Sequence, residues 1–178
     1  MPRQIVLLRG VNLGSRNRIA MPALREALTE AGFDDVQTYV QSGNAVLSSR
    51  ESAATVARKV ADVVEDRFGL EIDVVVRTRA ELAKVVERDP LGKVAKDPKR
   101  HQVTFLAAKP NAEVVQKLAA AAVEPEQLVH VGRELYAWHP NGVGRSKLAA
   151  LLSGPDLGVT ATARNWATVT KLLEMASE

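Results

Sequence analysis

At 178 residues with an apolar fraction of 46%, the chain is long enough for one domain or two small ones, and its composition is that of a globular protein with a real core. It has no cysteine, which excludes a disulfide framework, a thiolate metal site and a thiol nucleophile. No apolar run approaches the roughly 20 residues that span a bilayer, and Met1-Pro2-Arg3-Gln4 leads only into Ile5 to Leu8 before Arg9, so the expectations are no membrane partner and a cytoplasmic location.

The formal net charge of +3 is too small to demand a nucleic-acid partner, but its placement is uneven. Residues 1 to 25 carry Arg3, Arg9, Arg16, Arg18 and Arg25 without an acid, and between Leu135 and Lys171 the only acid is Asp156. Two distant segments are therefore locally cationic, as solvated loops or as anion-attracting surfaces.

Ile5 to Leu8 is a continuous apolar run of strand length, the pattern of a strand buried on both faces. The loop from Arg9 to Ala20 follows, rich in glycine, arginine and asparagine. A helix is expected from Met21, with Leu24, Ala27, Leu28 and Ala31 at helical spacing, Pro22 in its first turn and Gly32 at its end. Val36 to Val40 and Ala45 to Leu47 read as a hairpin about Gln41-Ser42-Gly43-Asn44. A helix from about Ser52 to Phe68 carries the stripe Val56, Val60, Val63 and Val64 and stops at Gly69, and Ile72 to Val76 reads as a fourth strand. The order βαββαβ is the split arrangement of a ferredoxin-like domain.

Thr78 with Glu81 three residues later is a capping-box pattern for the next helix, which ends before Asp89-Pro90. Residues 89 to 101, with two prolines and Lys93, Lys96, Lys99 and Arg100, read as a linker or exposed basic loop, dividing a first unit at 1 to 88 from a second at 102 to 178. The second half repeats the order. Val103 to Leu106 is a strand, and a helix follows Pro110-Asn111. Leu128 to Val131 and Leu135 to Trp138 form a hairpin about Gly132-Arg133-Glu134. Ser146 caps a short helix, Val159 to Thr162 is a last strand, and Trp166, Val169, Leu172 and Leu173 mark a closing helix. The fold class is α+β, two ferredoxin-like units with antiparallel sheets, the repeat being inferred from element order.

Three constellations could carry chemistry. In the first loop Gly10 and Gly14 allow the backbone to bend toward a ligand while Arg9, Asn12, Asn17 and Arg18 supply donors; the competing reading is a loop held by its own hydrogen bonds. Gly142-Val143-Gly144-Arg145-Ser146-Lys147 looks like the tail of a phosphate loop, but His139 stands where the leading glycine belongs and Arg145 where the lysine belongs. Phosphate binding at the helix start, without hydrolysis, competes there with a plain turn and cap. In Thr160 to Trp166, Asn165 can cap the last helix and Trp166 can be core, leaving Arg164 as the donor expected to point at an anion. No catalytic residue is assigned: His101, His130 and His139 lack metal-ligand spacing, no metal site is expected, and Ser42 reads as a turn residue.

Leu7 to Gly14, Met21-Pro22 with Leu24-Arg25, Tyr39 to Asn44, Gly144 to Leu148 and Arg164 to Val169 resemble the bacterial family known as domain of unknown function 1697. The resemblance implies an α+β protein of ferredoxin-like units, and no established activity or cofactor. The family's motif residues map here to Arg9, Gly10, Asn12, Gln41, Ser42, Gly43, Asn44, Arg145, Ser146, Lys147, Arg164, Asn165 and Trp166. Where the family commonly has two glycines and a lysine, this chain has Gly14-Ser15-Arg16.

Polar loop residues shared across a family point to a site more than to packing. The leading expectation is therefore a cationic cleft of motif loops that binds a phosphate-bearing small molecule or nucleotide. The rival is a non-catalytic module binding RNA or DNA on the same basic surface. It is disfavoured because open-sheet recognition needs exposed aromatics and the strands offer only Tyr39, Phe105, Tyr136 and Trp138. A structural or interaction protein is the third reading.

Overall fold

The computed structural model describes residues 1–178, which form two compact units, 1–84 with 171–178 and 85–170. In the first unit β1 (Arg3–Leu8) is followed by α1 (Met21–Glu30), β2 (Asp34–Tyr39), β3 (Asn44–Ser48), α2 (Ala53–Phe68), β4 (Val74–Thr78) and the beginning of α3 (Arg79–Glu87). The strands pair antiparallel in the order β2-β3-β1-β4, so β1 is central. This is the ferredoxin-like order.

Local chemistry sets the element ends. Pro22 sits in the first turn of α1; Ser52 caps α2, its hydroxyl accepting from Thr55 N–H at 3.2 Å, and Gly69 at φ 66° ends it in the left-handed region. At the start of α3 the capping box closes both ways, Thr78 N–H to Glu81 Oε2 at 2.8 Å and Glu81 N–H to Thr78 Oγ1 at 3.1 Å. The helices cover one sheet face: Leu24, Leu28, Val56, Val60 and Val64 pack on Val6, Leu8, Ala45 and Leu47. Each fully buried side chain of this kind contributes about 1.5–3 kcal/mol. The other face, with Ile5, Leu7, Val46, Val75 and Arg77, is buried as well, which is why β1 reads as an unbroken apolar run.

The second unit repeats the plan with β5 (His101–Leu106), α4 (Ala112–Ala121), β6 (Gln127–Val131), β7 (Glu134–Trp138), α5 (Lys147–Leu152), β8 (Ala161–Asn165) and the beginning of α6 (Trp166–Ala176), in the order β6-β7-β5-β8. The duplication extends to register. Ile5 pairs with Val46 and Arg77, and Val103 pairs with Tyr136 and Arg164. Leu8 N–H bonds Gly43 O at 2.8 Å, and Leu106 N–H bonds Arg133 O at 2.9 Å. An arginine thus occupies the same place on the last strand of each sheet.

Residues 89–101 are tied into the second unit. His101 Nε2 lies 3.3 Å from Asp89 Oδ1, His139 N–H donates to Arg100 O at 2.9 Å, and Trp166 N–H donates to Pro98 O at 3.1 Å. β8 lies later in the chain than the Val159 to Thr162 run. Gly158, at φ 76°, still belongs to the preceding turn, and pairing with β5 recruits Ala163 together with the polar Arg164 and Asn165, which interrupt the apolar run expected of a strand. No helix is long and apolar enough to cross a membrane.

Candidate functional site

The first loop leaves β1 with Leu8 N–H bonded to Gly43 O and Arg9 N–H bonded to Asp73 O, then turns at Gly10 (φ 71°) and Asn12 (φ 55°). A loop of this length carries many backbone groups without strand or helix partners, and side-chain amides satisfy them. Asn12 Nδ2 donates to Ile19 O at 2.9 Å and Gln41 O at 2.6 Å, while its Oδ1 accepts from Ile19 N–H at 2.8 Å. Asn17 Nδ2 donates to Gly10 O at 3.0 Å, and Arg18 Nη1 to Gly14 O at 2.7 Å. The asparagines expected as ligand donors therefore hold the loop. Arg18 keeps an exposed guanidinium beyond its single bond, and Arg9 is half-buried.

The hairpin turn docks on this loop. A Cβ on Gly43 (φ 86°) would lie 2.5 Å from Val11 Cγ2 and 2.9 Å from Leu8 Cβ, so only glycine fits. Asn44 is fully buried and its Nδ2 donates to Tyr39 O at 3.1 Å and Ser42 Oγ at 2.9 Å. These three motif residues shape the turn, leaving Gln41 exposed. Next to it Val40 sits at φ 50°, an outlier for a β-branched residue.

Between loop, turn and helix lies an open depression of about 420 Å³, lined by Asn12, Arg18, Gln41 and residues Ile19 to Pro22. Its helical edge is the start of α1. Ala20 at the N-cap makes no side-chain cap bond, and the first turn holds no acid, so the helix presents uncapped N–H groups and their partial positive charge.

The second-unit motif residues have other partners. Ser146 caps α5, its Oγ accepting from Ala149 N–H at 3.0 Å and donating to Glu126 Oε2 in a short bond. His139 Nδ1 meets the same carboxylate oxygen at 2.8 Å. Glu126 thus sits where the sequence suggested a phosphate, and its place 20 residues before Ser146 left no local signal. Arg145 and Lys147 flank the cap, both exposed. Arg164 lies within β8 at 8% exposure, not on a loop, with Nη1 donating to Thr162 Oγ1 at 2.6 Å and Ala163 O at 2.9 Å. Burial pushes its guanidinium down to about 10. Asn165 caps α6, accepting from Thr168 N–H at 2.9 Å, and Trp166 stacks on His101 with centroids 4.5 Å apart. Phe105 and Tyr136 are each 1% exposed and offer no base-stacking surface.

Residues 1–136 match the protein family of unknown function DUF1697. The chain belongs to this family. No curated protein matches it. A solved structure, that of the conserved bacterial protein SP0830 from Streptococcus pneumoniae, is similar, with a TM-score of 0.80 at 22% identity over 98% of each chain, which shows a shared fold. The span matched to DUF1697 ends within β7, so it holds the first loop and hairpin turn, while Arg145 to Lys147 and Arg164 to Trp166 lie beyond it.

The Glu126 cluster has a pH signature. Burial alone would raise the carboxyl's pKa, but the bonds from His139, Ser146 and Val123 N–H outweigh it and hold it below the usual range. A carboxylate depressed by folding contributes stability above its unfolded pKa and loses it as pH falls through the folded value. Denaturant titrations should show wild type losing stability below about pH 5, whereas Glu126→Gln is less stable at neutral pH and has a shallower acid limb. Parallel acid limbs would mean the carboxylate is not held this way.

Proposed function

We propose that the protein binds a phosphate-bearing small molecule or nucleotide in the depression between the first loop, the hairpin turn and the start of α1. The observation that carries this reading is the combination of an uncapped, acid-free helix start with the exposed Arg18 on the same depression. Uncapped N–H groups and the helix dipole favour an anion, and a guanidinium adds a full charge with fork geometry suited to phosphate. Ile19, Met21 and Pro22 supply an apolar wall for the uncharged part of such a ligand, and about 420 Å³ falls in the range of small-molecule sites. The left-handed Val40 beside Gln41 supports the reading too, because backbone strain of this kind clusters at ligand sites.

The test is thermal unfolding against inorganic phosphate, nucleotides and sugar phosphates. A ligand at about 100 times its dissociation constant adds about 2.7 kcal/mol, a rise of roughly 5–10 °C for a chain of this size. Arg18→Ala should lose most of that rise while changing the ligand-free protein by less than about 0.5 kcal/mol, as an exposed side chain with one bond. If no phosphate compound shifts the transition, the reading fails.

A further inference from the structure

One end of the second unit's sheet gathers features that the first-unit site does not use. Here β5 begins, β7 ends and β8 ends, and the loops at 89–100 and 139–147 leave the sheet together: Arg100 Nη1 donates to Pro140 O at 2.6 Å and His139 N–H to Arg100 O. Lys93, Lys96, Lys99, Arg100 and Arg145 are exposed on these two loops, and Lys147 is exposed at the start of α5. The nearby acids are engaged. Asp89 faces His101, Glu126 accepts from His139 and Ser146, and Asp97 takes Lys99 N–H at 2.9 Å and lies 3.5 Å from Arg100 Nε.

Both tryptophans of the chain are at this end as well. Trp138 is the register partner of His101, and Trp166 stacks on the His101 ring at an interplanar angle of 14°. Both tryptophans are half-buried, leaving part of each side chain at the surface. The five cations other than Arg100, which is paired with Asp97, suit an extended polyanion better than a single phosphate, and aromatic rings among them suit bases that are not paired to one another.

We infer that this end of the second unit is a binding surface for single-stranded nucleic acid. The lysines and arginines contact phosphates, and the indoles provide stacking surface. The inference is independent of the first-unit reading, because no residue is shared.

The test is fluorescence anisotropy of a labelled oligo(dT) or oligo(U) of about 12 nucleotides with the full chain, together with Trp166 emission in a Trp138→Phe background. Binding at about 50 mM salt should weaken linearly on a log–log plot as salt rises, with quenching of Trp166. Lys99→Glu combined with Arg145→Glu should weaken binding at least about tenfold and lower the salt slope by roughly 1.4, two phosphate contacts at about 0.7 each. Both positions are exposed, and an unchanged melting temperature separates lost binding from lost fold. No binding by wild type, wild-type affinity in the double variant, or equal affinity for inorganic polyphosphate of matched charge would overturn the inference. Phosphate-induced stabilisation should survive in the double variant and be mostly lost in Arg18→Ala, so the two sites fail separately.

Discussion

Gly43→Ala should cost about 2–5 kcal/mol, a lowering of the melting temperature by roughly 4–20 °C. Two effects add. At φ 86° an L side chain pays about 1–2 kcal/mol for the left-handed conformation. The new Cβ would also sit 2.5 Å from Val11 Cγ2 and 2.9 Å from Leu8 Cβ, and both neighbours are buried, so relief requires moving the turn off the loop; such overpacking costs about 1–3 kcal/mol. Gly10→Ala is the matched control, with φ 71° but open space around its Cβ. It should cost only the backbone part. Equal losses in the two variants, measured by denaturant unfolding, would show that the hairpin turn is not packed on Val11 as described.

Asn12→Ala should lose about 3–4 kcal/mol, from three hydrogen bonds at about 1 kcal/mol each and a left-handed position at φ 55° that asparagine tolerates better than alanine. The Ile19 N–H is the costliest loss, since Ile19 is buried and its donor would be left without an acceptor. Asn12→Asp adds a charge at the same position. It keeps the acceptor for Ile19 N–H but removes both donors and places a negative charge on the wall of the depression. Stability should fall at least as far as in the alanine variant, because the second carboxylate oxygen faces the carbonyl oxygens of Ile19 and Gln41, and phosphate-induced stabilisation disappears. Retention of that stabilisation in Asn12→Asp would move the anion site away from the first loop.

Much of the architecture was legible in local patterns because each signal has a local cause. The Ile5 to Leu8 run marks a strand buried on both faces, the valines at 56, 60 and 64 mark one helix stripe, and Thr78-x-x-Glu81 closes the capping box its spacing predicts. Caps at Ser146 and Asn165 followed from side chains that reach backbone groups three residues away. The site was less legible. Asn12, Asn17 and Asn44 were readable as polar and positioned on loops, yet the same amide can serve a ligand or a carbonyl, and here carbonyls of Ile19, Gln41, Gly10 and Tyr39 receive them.

The sequence by itself determined the element order, the two-unit plan and the acid-free character of the first 25 residues, since each rests on neighbours within a few positions along the chain. Only the tertiary structure decided which charges meet what. Arg164 became a buried strand residue because β8 pairs with β5, and Glu126 became the partner of His139 and Ser146 because the hairpin between β6 and β7 brings them to one carboxylate oxygen. Pairing across dozens of residues is set by sheet register and packing, which no local pattern of polarity encodes.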